Sequence, residues 1–172
     1  MENNILTKDQ IGKLTGLNTE AIKFYLSLAN QRLEDTLNIK RELEQKAFIL
    51  FAGYIAAAFA LFGLAEGSHG FSYWLIGSAF FFCAGVGMLF VVINIEKYGV
   101  LGRNPEDWLD RADYLTIGDE HIGHMHAYVL YDLINDIEMN KRSNGSKVFY
   151  LRIAIALGFL SLSPLVIWAI FA

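Results

Sequence analysis

The sequence predicts an all-α integral membrane protein: three transmembrane helices, a long N-terminal cytoplasmic helix and a helical cytoplasmic segment between spans 2 and 3. Three observations predict it. Hydrophobic residues make up 54% of the 172 positions, more than a water-soluble domain of that size carries. Two apolar runs, Ala47 to Ala65 and Tyr73 to Ile95, are separated only by the break Glu66 to Ser72. A third run, Val148 to Ala172, holds one charge, Arg152, near its start. About 20 apolar residues in a helix cross the hydrocarbon core, and each run has that length. A chain this short could not wrap two all-round apolar helices in polar structure, so a buried hairpin of a soluble protein is set aside.

These runs divide the chain into a cytoplasmic helical region 1–46, a transmembrane hairpin 47–95 (spans 47–65 and 73–95), a cytoplasmic helical lid 96–147 and a third span 148–172. In the first region, Thr7 to Gln10 has the form of a capping box that opens a short helix closing near Gly16, and Asn18 caps a second start at Thr19 and Glu20. From there no Pro or Gly occurs before Gly53, and apolar residues recur at Ile22, Leu26, Ala29, Leu33, Leu37, Leu43 and Ala47. The spacing predicts one helix of about 45 residues, roughly 70 Å long, running from cytoplasm into membrane. Its narrow apolar stripe needs a cover, either a second copy or the later cytoplasmic segment.

Within this region Gln10 to Tyr25 resembles the helix-turn-helix of the MerR family of transcription regulators, on Ile11, Leu14, Thr15, Gly16, Ile22, Phe24 and Tyr25. The resemblance implies a membrane-tethered DNA-binding regulator. The chain departs from that family where a basic wing should follow, because the helix continues through Glu34, Asp35, Glu42 and Glu44. Before the first span, seven basic residues face seven acidic ones, without the positive excess that phosphate binding needs, so DNA is not the expected partner.

Orientation follows from the basic residues. Lys8, Lys13, Lys23, Arg32, Lys40, Arg41 and Lys46 precede the first span, and Lys97, Arg103, Arg111, Lys141, Arg142 and Lys147 lie between the second and third. The break Glu66 to Ser72 has none. The positive-inside rule therefore puts the N-terminus and the 96–147 segment in the cytoplasm and the hairpin tip and C-terminus outside. Tyr73, Trp74 and Trp168 fall at the outer headgroup level and Tyr98 and Tyr150 at the inner one. Cys83 is the single cysteine, so no intrachain disulfide can form.

Inside the spans the recurring residues are small. Ala52, Ala56 and Ala60 repeat every four positions, Gly53 and Ala57 do the same, Gly77, Ala84, Gly85 and Gly87 mark the second span, and Ala154 and Gly158 the third. Small residues let helices approach closely in lipid, which serves either packing within one chain or assembly into a homo-oligomer. No Asp, Glu, Lys, Arg or His lies deep in a span, which argues against an ion-coupled transporter. Pro164 should kink the third span, freeing a carbonyl near Leu160 for Ser161 or Ser163.

In the lid, Asn104, Pro105, Glu106 and Asp107 form a helix start that puts Trp108, Leu109, Ala112 and Leu115 on one face. A second helix carries Tyr128, Tyr131, Ile134 and Ile137 and is expected to end at Ser143, Asn144 and Gly145. Trp108, Tyr128 and Tyr131 are the anchors expected to cover Leu26, Leu33 and Leu37. Between Asp119 and His126 stand His121, His124 and His126, the only candidate metal ligands. His121 and His124 could share a ligand on a helix, while His126 points away, and the well-spaced Cys or carboxylate partners of zinc sites are missing. No nucleophile and base motif, phosphate-cradling loop or metalloprotease His pair occurs. The sequence assigns no catalytic residue, no cofactor and no metal.

The order of a polar helix entering a span through Glu44, Gln45, Lys46 and Ala47, a short outer turn, a second span, a helical cytoplasmic segment, then Lys147 to Arg152 leading into a final span resembles the small bacterial transmembrane effectors of antiphage systems, of Pycsar type and SLATT type. In the Pycsar type an acidic residue often stands two positions before a Lys-Ala pair, the place of Glu44 here. The resemblance implies an oligomer that perturbs the inner membrane when infection is signalled. Its partners would be membrane lipid, further copies of the chain, and a soluble cytoplasmic protein or a signalling nucleotide. A membrane adaptor that anchors a soluble partner without making a pore is the alternative.

Overall fold

With no proline and no glycine among its first 34 residues, the first helix, α1, is unbroken over Thr19–Gly67. In the structure, a computed structural model that describes residues 19–67, 72–95, 98 and 118–171, it is followed by α2 (Ser72–Ile93), α3 (Gly118–Leu160) and α4 (Ser163–Phe171). No strand occurs among the described residues. Three stretches, Glu20–Glu66, Tyr73–Ile93 and His126–Ile170, are long and apolar enough to cross a membrane.

The chain forms two compact units, Met1–Ile39 with Lys97–Ser143, and Lys40–Glu96 with Asn144–Ala172. In the first, Ala29 and Leu33 of α1 pack on Leu130 and Leu133 of α3, flanked by Leu26, Leu37, Val129, Ile134 and Ile137. Asn140 Nδ2 donates to Thr36 Oγ1 at 3.1 Å, and Thr36 Oγ1 donates to the Leu33 carbonyl at 2.7 Å. Since later residues of α1 meet later residues of α3, the helices run parallel here. The cover that the stripe of Leu26, Leu33 and Leu37 requires is therefore supplied by α3.

The second unit is built on Leu43, Ala47, Leu89, Val92, Leu151 and Ala154, with Leu50, Phe51, Tyr54, Met88, Ile93, Val148 and Tyr150 around them. Glu44 meets Lys147 and Tyr54 meets Ala154, so α1 and α3 are parallel here too. The α2 helix runs antiparallel to both. Its Leu89 and Val92 lie with Leu43, Ala47 and Leu151, Gly85 lies against Tyr54, and Gly77 lies against Pro164.

Two boundaries depart from the sequence reading. The second lid helix does not end at Ser143, Asn144 and Gly145, because α3 continues through them to Leu160. Ser143 and Asn144 are buried, and the contacts that bury them outweigh their local preference for a turn. Gly145 is exposed with nothing within 4 Å of where a Cβ would stand. Gly145→Ala should therefore stabilise the chain by about 0.5 to 1 kcal/mol, read as a rise in the unfolding midpoint in micelles. A fall would mean that the helix breaks there.

The third span, for its part, is two helices. Pro164 has no N–H for the Leu160 carbonyl, and Ser163 Oγ donates to that carbonyl at 2.7 Å. Ser161 Oγ donates to Gly158 O, while the Leu162 amide donates to Phe159 O at 3.1 Å in a tightened last turn. The helix is interrupted just before Pro164, where the sequence predicts a kink, and Ser163 gives the Leu160 carbonyl its partner.

Candidate functional site

Lysine is almost never fully buried unless paired, because its ammonium must leave water. Lys147 is 0% exposed. It stands just before the apolar part of α3, and across from it Glu44 stands one turn before Ala47 on α1. Glu44 Oε1 lies 2.6 Å from Lys147 Nζ and 3.9 Å from Lys40 Nζ, so one carboxylate oxygen faces two ammonium groups. Two other ion pairs, Glu42 with Lys46 and Glu138 with Arg142, lie within one helix at (i, i+4) and are exposed. Such pairs add only a few tenths of a kcal/mol. The pair between helices is of a different kind, since removing Glu44 takes the carboxylate away from a fully buried ammonium.

Deeper in the second unit, Tyr54 fills a slot between α2 and α3. Its hydroxyl donates to the Ala154 carbonyl at 2.9 Å, and its ring meets Phe82 edge to face at 5.2 Å. A Cβ on Gly85 would lie 2.7 Å from Tyr54 Cε2, and a Cβ on Gly158 would collide with Tyr54 Oη. Both glycines are thus required by one aromatic ring. Polar aromatic tips are satisfied when buried, and here the α3 backbone satisfies this one.

The small residues separate into two groups. Gly85 packs on Tyr54 and Gly77 on Pro164, inside the chain. Ala52, Gly53, Ala56 and Ala60 face outward on α1, and Gly53 has open space at its Cβ. On the stripe of α1 that the lid is expected to cover, Leu33 is fully buried and Leu26 and Leu37 are half-buried; of the lid's anchors, Tyr131 is half-buried and Tyr128 is exposed. Trp108 lies outside the described residues, as does the MerR-like stretch up to residue 18; Thr19 to Tyr25 belong to α1.

No protein-family model, curated protein or solved structure matches this chain. Its chemistry must be read from its own residues. His121 and His124 fall on the helical backbone of α3, but their side chains lie outside the described residues. His126 is half-buried with Nδ1 lacking a hydrogen-bond partner, and among the described residues no three His, Cys, Asp or Glu come together as metal ligands. In the first unit, Tyr25, Leu28, Arg32, Leu130, Ile134 and Ile137 line an apolar groove of about 360 Å³. Phe24 projects beside it, 66% exposed.

The pairing of Glu44 with Lys147, the bond between Thr36 and Asn140, and the Tyr54 slot are all absent from the sequence reading. One signal pointed to part of them. Stepping back from Ala154 and Leu151 by alternate fours and threes reaches Lys147, Asn144 and Asn140, all buried, so the seam of α3 carries polar residues where an apolar one is expected.

Proposed function

We propose that the chain is a membrane-embedded subunit or effector of a bacterial antiphage system, which oligomerises and perturbs the inner membrane on a cytoplasmic signal. The observation that carries this reading is the outward face of α1, where Ala52, Gly53, Ala56 and Ala60 are exposed among the described residues. In lipid, a face of small residues lets a second backbone approach closely. Large apolar residues such as Phe59, Phe80 and Phe159 also point outward, as hydrocarbon surroundings favour. In this reading the N-terminus and the 96–147 segment are cytoplasmic and the C-terminus is outside. The polar stretches of α1 and α3 continue into their apolar stretches without a break in either helix. A soluble protein or signalling nucleotide acting on the polar stretches would thereby act on the spans.

The groove at Tyr25, Leu28, Arg32 and Ile134 favours a second reading, an adaptor that holds a soluble partner and makes no pore. Membrane potential in cells under phage challenge separates the two. The wild-type chain should depolarise the membrane on challenge, and Ala56→Leu should lose most of that response because a bulky side chain parts close-packed helices. A wild type that protects cells, or retains a soluble partner, with the potential unchanged removes the effector reading and leaves the adaptor. A fully active Ala56→Leu chain would exclude this face of α1 from assembly.

A further inference from the structure

The apolar seam between α1 and α3 repeats. In the second unit Leu43 and Ala47 meet Leu151 and Ala154, and spacings of three and four recur along both helices. Because seam positions recur at that spacing, a slide of one helix by seven residues again brings seam positions to face seam positions, so the side chains that stand there must decide the register. In hydrocarbon the apolar ones discriminate little, because apolar side chains are as well solvated by lipid as by each other.

We propose that the Glu44 and Lys147 pair sets the register of α1 on α3, excluding the neighbouring heptad registers. A slide of seven residues would put Leu37 or Phe51 opposite Lys147 in place of Glu44, leaving a buried ammonium against an apolar side chain. A slide of one turn would bring Lys40 there, like charge against like. The first unit has its own device of the same kind, since a seven-residue slide puts Ala29 or Leu43 opposite Asn140 in place of Thr36. Fixing register at some cost in stability is the best-attested use of a buried polar group in a helix seam. The role does not depend on whether the chain perturbs a membrane.

Cysteine cross-linking in the full chain, with Cys83→Ser as background, reads the register directly. Ala47→Cys with Leu151→Cys reports the observed register, and Ala47→Cys with Asn144→Cys reports one slipped by a heptad. With Glu44 and Lys147 intact, only the first pair should cross-link on oxidation. Glu44→Leu with Lys147→Met, which removes both charges and so leaves none stranded, should cross-link through both pairs, a loss of selectivity in a chain that still folds. The exchange Glu44→Lys with Lys147→Glu should restore the single product. If the apolar double variant still gives only the first product, or the exchanged pair gives both, the register is set by other contacts and the proposal falls.

Discussion

Glu44→Ala should destabilise the solubilised chain by about 3 to 5 kcal/mol, the cost of removing one partner from a buried ion pair. The reason is the asymmetry of the pair. Glu44 is part-exposed and could be lost cheaply, but Lys147 is fully buried and would keep its charge without the carboxylate 2.6 Å away. Lys147→Ala should cost less than this, because Glu44 retains Lys40 at 3.9 Å and some access to water. Glu44→Leu combined with Lys147→Met should recover most of the loss, since apolar residues of similar volume replace a buried pair at little or no cost. The check is the set of unfolding midpoints in micelles. Equal losses for the two single alanine variants would show that the pair is hydrated and that burial is not what makes it matter.

Gly85→Ala should cost about 1 to 3 kcal/mol, far above the small gain that replacing glycine by alanine gives in an open helix. The new methyl would stand 2.7 Å from the Tyr54 ring. That ring cannot retreat easily, being held by Phe82, by its bond to the Ala154 carbonyl and by Gly158 on its other side. Gly158→Ala should behave alike. Adding Tyr54→Leu to Gly85→Ala should return part of the lost stability, because the obstructed atoms are gone. Gly53→Ala is the control and should be neutral or stabilising, since nothing lies near its Cβ. If Gly85→Ala matches Gly53→Ala, the slot is not close-packed.

Helix identity was legible because it depends on neighbours in the sequence. The unbroken run from Thr19, the apolar stretch of α2 and the interruption before Pro164 with Ser163 answering the Leu160 carbonyl are each set within a turn or two of chain. The stripe of Leu26, Leu33 and Leu37 announced a face to be covered, yet could not name its cover, because any amphipathic helix satisfies that demand. The glycines illustrate the same limit. Gly53 and Gly85 look alike in an apolar run, but one meets open space and the other an aromatic ring.

The sequence by itself therefore determined how many helices are apolar enough to cross a membrane and which faces are small or apolar, since hydropathy and periodicity are local properties. Only the tertiary structure decided which residues of α1 meet which residues of α3, and with that everything that depends on residues about a hundred positions apart. Glu44 and Lys147 each read alone as an ordinary charge beside an apolar run. Their meaning is a property of the pair, because the cost of burying a charge is settled by what stands across from it and not by its own place in the chain.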